Sequence, residues 1–415
     1  MNDWNEQRQL EAFEKLSRLK VGALFMSMGT GKTKVALDLI ASKMHKIDYV
    51  LWICPCSLKS EIEAERLKWH PELELDIVGC ESIGQSERIY LDTLRKAENS
   101  RMFMVVDESL KIKNIAAKRT KRILNLGDHA EYRLILNGTP LTRNVLDVYT
   151  QMQFLSPKIL NMSYSEYKDT YCEYYTSGKL KGKVRSNCNI KHLVSLIEPY
   201  IFESELNLDK DKNYHSILYY VDEDAYSAYK EELFLEYYDA FDDELNFYAF
   251  SSRLQHWYCQ TEQAKAALQS VIEKVEGKVI VFVKYLDSIP DGAMSITGAV
   301  PEHKRKDIIN AFRDGETKAL YITYGCGSFG LNLQFCHNTI FAEQIWDYAN
   351  IEQAEARTYR IGQGKDVDYH YIFCGNSGLE DKIIENIKRK GNLLQTMKEE
   401  IQSTKGGVKE WVKNI

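Results

Sequence analysis

The sequence predicts an α/β chain: two parallel-sheet lobes with a helical insertion between them. Three observations carry that expectation. Short, almost unbroken apolar runs alternate with longer helical patterns in the first third, and the same alternation returns in the last third. Between them, from residue 156 to 276, the chain is Tyr-rich and mostly helical in pattern. Runs of this kind read as parallel strands buried on both faces, because helices cover each face and no position has to be polar. A chain of 415 residues accommodates two or three such domains.

In the first lobe, residues 1–157, strands are expected at Ala23–Met26, Tyr49–Cys54, Met102–Val106 and Arg133–Leu136. Residues 158–275 are expected to form the helical insertion and linker, with one strand near 215–221. Within it, Asp222–Glu244 holds ten acidic residues and one lysine, while Tyr226, Tyr229, Leu233, Phe234, Tyr237 and Phe241 recur at helical spacing. That is an amphipathic helix with an acidic solvated face; DNA mimicry by these carboxylates is the minor alternative. The second lobe, 276–378, should hold strands at Lys278–Val283, Ala319–Thr323, Thr339–Ala342 and Val367–Phe373. A C-terminal helical brace, 379–415, follows, with an amphipathic helix from Leu379 to Lys398.

The formal net charge is −6, with 44% apolar and 27% charged residues, ordinary for a globular protein and unlike a disordered or fibrous one. The acidic helix more than accounts for that excess, so the remainder is mildly basic and overall charge does not argue against nucleic acid. No apolar run approaches the roughly 18 residues of a membrane-spanning helix, and Met1–Arg8 has no signal-peptide core. Nine cysteines form no C-x-x-C pair, so zinc-type spacing is missing. Free buried thiols suit a reducing compartment, and a cytoplasmic protein is expected.

The chemistry begins at Met26-Ser-Met-Gly-Thr-Gly-Lys-Thr33, between an expected strand and a helix starting near Lys34. Gly29, Thr30 and Gly31 would let backbone N–H groups wrap phosphate oxygens, aided by the helix dipole. Lys32 would neutralise the β/γ charge and the Thr33 hydroxyl would hold magnesium. The strict pattern has Gly at position 26, where this chain has Met. At Val105-Val-Asp-Glu-Ser109, Asp107 and Glu108 leave the C-terminal end of the third expected strand, the edge where parallel sheets bind ligands. One carboxylate can take the metal while the other orients water for in-line attack. In the second lobe, Gln353, Arg357 and Arg360 fall at i, i+4 and i+7, one stripe of a helix suited to a phosphate. A plain exposed polar stripe is the bland alternative. Gly325–Leu333 is a glycine-rich turn whose amides could approach phosphate, though a simple tight turn fits equally.

These motifs together resemble a Swi/Snf-type ATPase of helicase superfamily two, in the short form carried by phages and prophages. The likeness runs in order from about residue 4 to 385. Gln9 in Arg-Gln-Leu-Glu-Ala-Phe13 resembles the adenine-reading glutamine, and Pro55-Cys-Ser-Leu58 before Trp69 resembles motif Ia. Asp107-Glu-Ser-Leu-Lys-Ile-Lys-Asn114 is similar to motif II, and Asn137–Asn144 with Phe154-Leu-Ser-Pro157 to motif III and its extension. Ile296-Thr-Gly298 with Arg305 and Phe312, Gly327–Leu333, and Gln353–Gln363 resemble motifs IV, V and VI.

The resemblance implies two RecA-like lobes that bind ATP with Mg2+ and grip double-stranded or branched DNA. It implies Lys32 and Thr33 on phosphate and magnesium, Asp107 on the metal and Glu108 on the water. Arg360 would be the arginine finger, with Arg357 and Gln353 completing the γ-phosphate contacts. Thr139 and Gly330 would couple nucleotide state to DNA grip, and Ser57 and Gly298 would touch DNA. Leu110 stands where motif II usually has histidine, Ser328 replaces a motif V glycine, Trp346-Asp347 replaces Trp-Asn, and Glu203-Ser-Glu205 replaces a basic segment. Two basic runs could neutralise phosphates: Lys111, Lys113, Lys118, Arg119, Lys121 and Arg122, and Lys179, Lys181, Lys183 and Arg185. Solvated surface is an equal alternative for each. The expected protein is a monomeric, DNA-dependent ATPase that translocates on duplex DNA in the cytoplasm, a bacterial host's if phage-encoded, with no membrane partner. A strand-separating helicase is the alternative, and a non-hydrolysing ATP-binding adaptor the second.

Overall fold

Val21-Gly-Ala-Leu-Phe-Met26 shows how the chain builds its sheets: Ala23 and Phe25 face one apolar core, Leu24 and Met26 the other. A strand with apolar side chains on both faces is stable only in the middle of a helix-covered sheet. Fully burying each large side chain of this kind contributes roughly 1.5–3 kcal/mol. The computed structural model describes residues 3–138, 145–174, 184–237, 244–327, 331–346 and 348–388.

The chain divides into two units, Met1–Leu208 and Asp209–Ile415. In the first, β1 (Val21–Met26), β2 (Tyr49–Cys54), β3 (Asp76–Gly79), β4 (Met102–Val106) and β5 (Ala130–Asn137) are joined through helices. A short antiparallel pair, β6 (Cys172–Tyr174) and β7 (Val184–Asn187), follows, then β8 (Ile201–Ser204). The sheet order is β3-β2-β4-β5-β1-β8, every pair parallel. The second unit holds β9 (Lys212–Tyr219), β10 (Val279–Val283), β11 (Ser295–Ile296), β12 (Ala319–Thr323), β13 (Asn338–Phe341) and β14 (Val367–Cys374). They are ordered β11-β12-β10-β13-β14-β9, again all parallel. Here Val279, Val281 and Val283 enter one core, and Ile280 and Phe282 the other. These are two RecA-like parallel-sheet lobes, as the apolar runs predict.

The insertion expected over 158–275 is instead divided between the units. β8 lies beside β1 in the first sheet, and the strand expected near 215–221 is β9, at the edge of the second. The strand that Asp107 follows is the fourth in chain order rather than the third, because the short β3 precedes it. The acidic segment forms a helix over Glu223–Tyr237 that buries Tyr226 and Leu233. The C-terminal helix is described over Gly378–Lys388; residues 389–415 lie outside the described part. Among the described residues no helix is long and apolar enough to cross a membrane.

Candidate nucleotide site

β4 and β1 flank β5 in the first sheet, and the segments that follow their C-terminal ends carry Asp107–Glu108 and Gly29–Thr33. After β1 the chain turns through Gly29 (φ 80) and Gly31 (φ 88), both in the left-handed region that favours glycine. A Cβ on Gly31 would also lie 2.3 Å from Gln9 Nε2, so a side chain there would push the Gln9 amide off the loop. The helix begins at Lys32, two residues earlier than the sequence pattern predicts. Lys32 Nζ donates to the Met26 carbonyl at 2.9 Å, Thr30 Oγ1 donates to Ser27 O at 2.7 Å, and Gln9 Nε2 donates to Thr30 O at 2.8 Å. Met26 departs from the strict motif without disturbing the loop: it is still in the strand, its side chain is buried, and only its carbonyl is used.

Asp107 and Glu108 follow β4. The Asp107 amide donates to Ile53 O at 2.7 Å, and Asp107 Oδ1 accepts the Glu108 amide at 2.9 Å. Glu108 takes a left-handed conformation (φ 50), which turns the chain sharply into the short Ser109–Ile112 turn. For a residue with a side chain that conformation costs of order 1 kcal/mol or more, and such strain gathers at functional sites. Burial, reinforced by the charge of Glu108, pushes the Asp107 carboxyl well above the usual carboxylate range, and Lys32 only partly opposes this. A buried carboxylate beside a second acid is a place where a divalent cation fits, and carboxylate and hydroxyl oxygens are the donors magnesium takes. Leu110 is half-buried, while the neighbouring Ser109 donates to Gln151 Oε1 at 2.6 Å.

In the second unit the three motif VI residues do not share a helical stripe. The helix Tyr348–Glu355 carries Gln353 and stops before Arg357. The Arg357 amide bonds to Ala354 O, those of Thr358 and Tyr359 both bond to Glu355 O, and the Thr358 hydroxyl bonds to Glu355 O as well. These tightened turns, followed by Gly362 at φ 102, unwind the segment. Arg357 is buried, with its carbonyl accepting the Leu333 amide, whereas Arg360 is half-buried and donates to Asn332 Oδ1 at 2.6 Å. Motifs V and VI therefore meet at Asn332 and Arg360.

Residues 88–215 match the SNF2-related domain, and residues 263–362 match the helicase conserved C-terminal domain. The chain is an ATP-hydrolysing, Swi/Snf-like enzyme of helicase superfamily two. The ATPase is 25% identical over 92% of its length to the DNA annealing helicase and endonuclease ZRANB3 of Bos taurus, covering 40% of that protein. It is 26% identical over 88% of its length to the Drosophila melanogaster SWI/SNF-related matrix-associated actin-dependent regulator of chromatin subfamily A-like protein 1, covering 52% of it. The chain thus spans about half or less of these relatives. The Sulfolobus solfataricus SWI2/SNF2 ATPase core in complex with dsDNA aligns with 21% identity, 92% of this chain, 89% of that one and a TM-score of 0.44.

Of the residues predicted for DNA or coupling, Ser57 lies in the turn Cys56–Leu58 after β2 and Gly298 in the open stretch after β11. Thr139, Gly330, Lys181 and Lys183 lie outside the described residues. The first basic run is not a uniform phosphate-facing strip. Arg122 is buried, donates to the carbonyls of Ile83, Gly84 and Ser86, pairs with Glu87 and stacks over Tyr90 at 4.6 Å. Its role is structural.

Sequence reasoning missed a buried polar group in the second unit of the ATPase. Glu343 accepts the Lys284 amide at 2.7 Å, Glu380 accepts the Tyr258 hydroxyl at 2.5 Å, and Lys284 Nζ donates to Gln255 Oε1 at 2.5 Å. Burial pushes Glu343 up to about 7 and Glu380 up to about 8, and lowers Lys284. An acid directly after the apolar Thr339–Ala342 run was the available signal.

Proposed function

We propose that the protein is a DNA-stimulated ATPase that translocates on double-stranded DNA and remodels DNA or protein–DNA complexes. The observation that carries this reading is the gathering of Gly29–Thr33, Asp107 and Glu108 at one edge of the first sheet, in a chain whose other unit is helicase-like. Lys32 neutralises phosphate charge, Glu108 orients the attacking water, and Gln9 reads the base. Thr33 and Asp107 would hold magnesium, which would supply charge neutralisation at the phosphates. Arg360 would be the arginine finger that stabilises the charge developing on the transferred phosphoryl group, with Arg357 and Gln353 completing the γ-phosphate contacts; fingers of this kind are worth roughly 10³–10⁵ in rate. The relatives, a DNA annealing helicase and endonuclease and a SWI/SNF-related regulator of chromatin, support duplex or branched DNA as partner. The motor is proposed to act as a monomer, and seven buried thiols among nine free cysteines suit a reducing compartment such as the cytoplasm.

The test compares ATP hydrolysis with no nucleic acid, single-stranded DNA, duplex, forked DNA and RNA. Duplex should stimulate most strongly, and displace a triplex-forming strand under ATP. Lys32→Ala and Glu108→Gln should each lower the stimulated rate by at least about 10²-fold. Stimulation by single strands alone would sink duplex tracking, and release of a strand from a fork would favour the helicase alternative.

A further inference from the structure

Glu108 sits in a left-handed conformation that a side chain disfavours, and such a conformation persists only where its surroundings fix it. One anchor lies before it, where the Asp107 amide ties the chain to Ile53 O of β2. A second lies directly after it. Ser109 Oγ donates to Gln151 Oε1 at 2.6 Å, and both side chains are buried. Gln151 Nε2 donates to Asp147 O at 2.8 Å, one turn back along the helix Leu146–Leu155, which leaves the amide oxygen turned to the serine. The same helix grips the far end of the Ser109–Ile112 turn. Thr150 Oγ1 donates to Lys113 O at 2.8 Å, and Lys113 Nζ lies 3.5 Å from Asp147 Oδ2.

Between these grips the turn closes on itself, with the Lys111 amide on Glu108 O at 2.9 Å and the Lys113 amide on Leu110 O at 3.2 Å. Every group in this chain of contacts lies within the first unit. Packing alone does not call for a polar pair here, since Val148, Met152 and Leu155 of the helix enter the same apolar core as Ile112. A buried hydroxyl–amide pair adds little net stability, and two apolar groups of matching shape would serve about as well. What they would lack is direction: a hydrogen bond fixes a distance and an angle, whereas apolar contact does not.

We propose that Gln151 is a positioning residue for ATP hydrolysis: through Ser109 it fixes the backbone at Glu108, and with it the aim of the Glu108 carboxylate. The inference rests on the reading that Glu108 orients the attacking water. Loss of the tether leaves the phosphate loop and Lys32 intact, so nucleotide still binds, but the carboxylate is free to drift. A misplacement of about 1 Å can lower rates by about 10²-fold.

The experiment measures ATPase kinetics with duplex DNA, fluorescent-ATP affinity and the thermal midpoint of the full chain. Gln151→Leu, Ser109→Ala and the double variant are compared with wild type, and Gln151→Leu is repeated in a Glu108→Gln background. We expect kcat to fall about tenfold in each single variant, with KM and nucleotide affinity within about twofold of wild type. Each single change also strands one buried polar group and lowers the midpoint. The double variant strands neither, so its midpoint should recover while kcat stays about tenfold down. Beside Glu108→Gln, where the group to be aimed has lost its charge, Gln151→Leu should lower the residual rate by less than about twofold. Recovery of kcat together with the midpoint in the double variant, a further tenfold loss beside Glu108→Gln, or a change confined to KM overturns the proposal. Glu108→Gln as active as wild type would instead overturn the underlying reading of Glu108.

Discussion

Both units bury acidic side chains at or beyond the C-terminal ends of parallel strands, yet the surroundings differ. In the second, Glu343 and Glu380 receive donors from the Lys284 amide and the Tyr258 hydroxyl, inside a core roofed by the helices Glu244–Cys259 and Gly378–Lys388. In the first, Asp107 has the Glu108 amide for a neighbour, a second acid beside it and Lys32 as the opposing charge. The same cause, burial, raises all three carboxyls. The difference teaches that a raised carboxyl points to function when a second acid and an opposing lysine surround it, rather than the donors of a packed core.

The contrast can be broken most sharply at Glu380. Glu380→Ala leaves the buried Tyr258 hydroxyl without its acceptor and should cost roughly 2–3 kcal/mol in chemical denaturation, whereas Glu380→Gln keeps an acceptor and should cost less than about 1 kcal/mol. The folded carboxyl holds its proton to about pH 8, and the unfolded one releases it near the ordinary value of 4.5. Its contribution to stability therefore falls as pH rises through that window, so the Gln variant should gain on wild type toward pH 8. Equal losses in both variants would show that hydrogen bonding is not what distinguishes this cluster.

Asp107→Asn is the counterpart in the first unit. It should abolish magnesium-dependent hydrolysis while raising stability by about 1 kcal/mol, since a charge held in place for function is removed. The gain should grow as pH rises above the ordinary carboxylate range, because the folded Asp107 resists ionising there. A loss of stability instead would place Asp107 with the satisfied acids.

His70 offers the smallest and most accessible test. Its Nε2 faces Asp38 and its Nδ1 faces Glu72, each at 2.7 Å, so both nitrogens are matched only when the ring is charged. Burial pulls its pKa down, but the two hydrogen bonds outweigh it and the net shift is upward. Its contribution, at most about 1 kcal/mol, should be present below the ordinary histidine value and vanish as pH climbs through the raised one. His70→Gln measured by thermal unfolding across pH 5–9 checks this: the difference from wild type should shrink with rising pH.

Both sheets were legible because parallel strands buried on two faces leave runs such as Val279–Val283 that little else explains. The phosphate loop was legible because Gly29 and Gly31 are needed for their backbone angles. β3 and β8 were not, being four residues each and only partly apolar. The helical stripe for Arg357 and Arg360 failed because spacing cannot show where backbone turns overwind; the Thr358 hydroxyl and Gly362 end the helix early. Arg122 lay hidden in a basic run since charge pattern does not reveal which guanidinium faces carbonyls. The Glu203-Ser-Glu205 departure also gained a physical reading, with Arg8 of the first helix delivering the guanidinium to that edge strand.

The most direct measurement is duplex-stimulated ATP hydrolysis by Arg360→Ala alongside its affinity for a fluorescent nucleotide. We expect affinity within a few-fold of wild type and a rate lower by about 10³-fold or more. Hydrolysis at the wild-type rate by that variant would contradict the role proposed for Arg360 as an arginine finger.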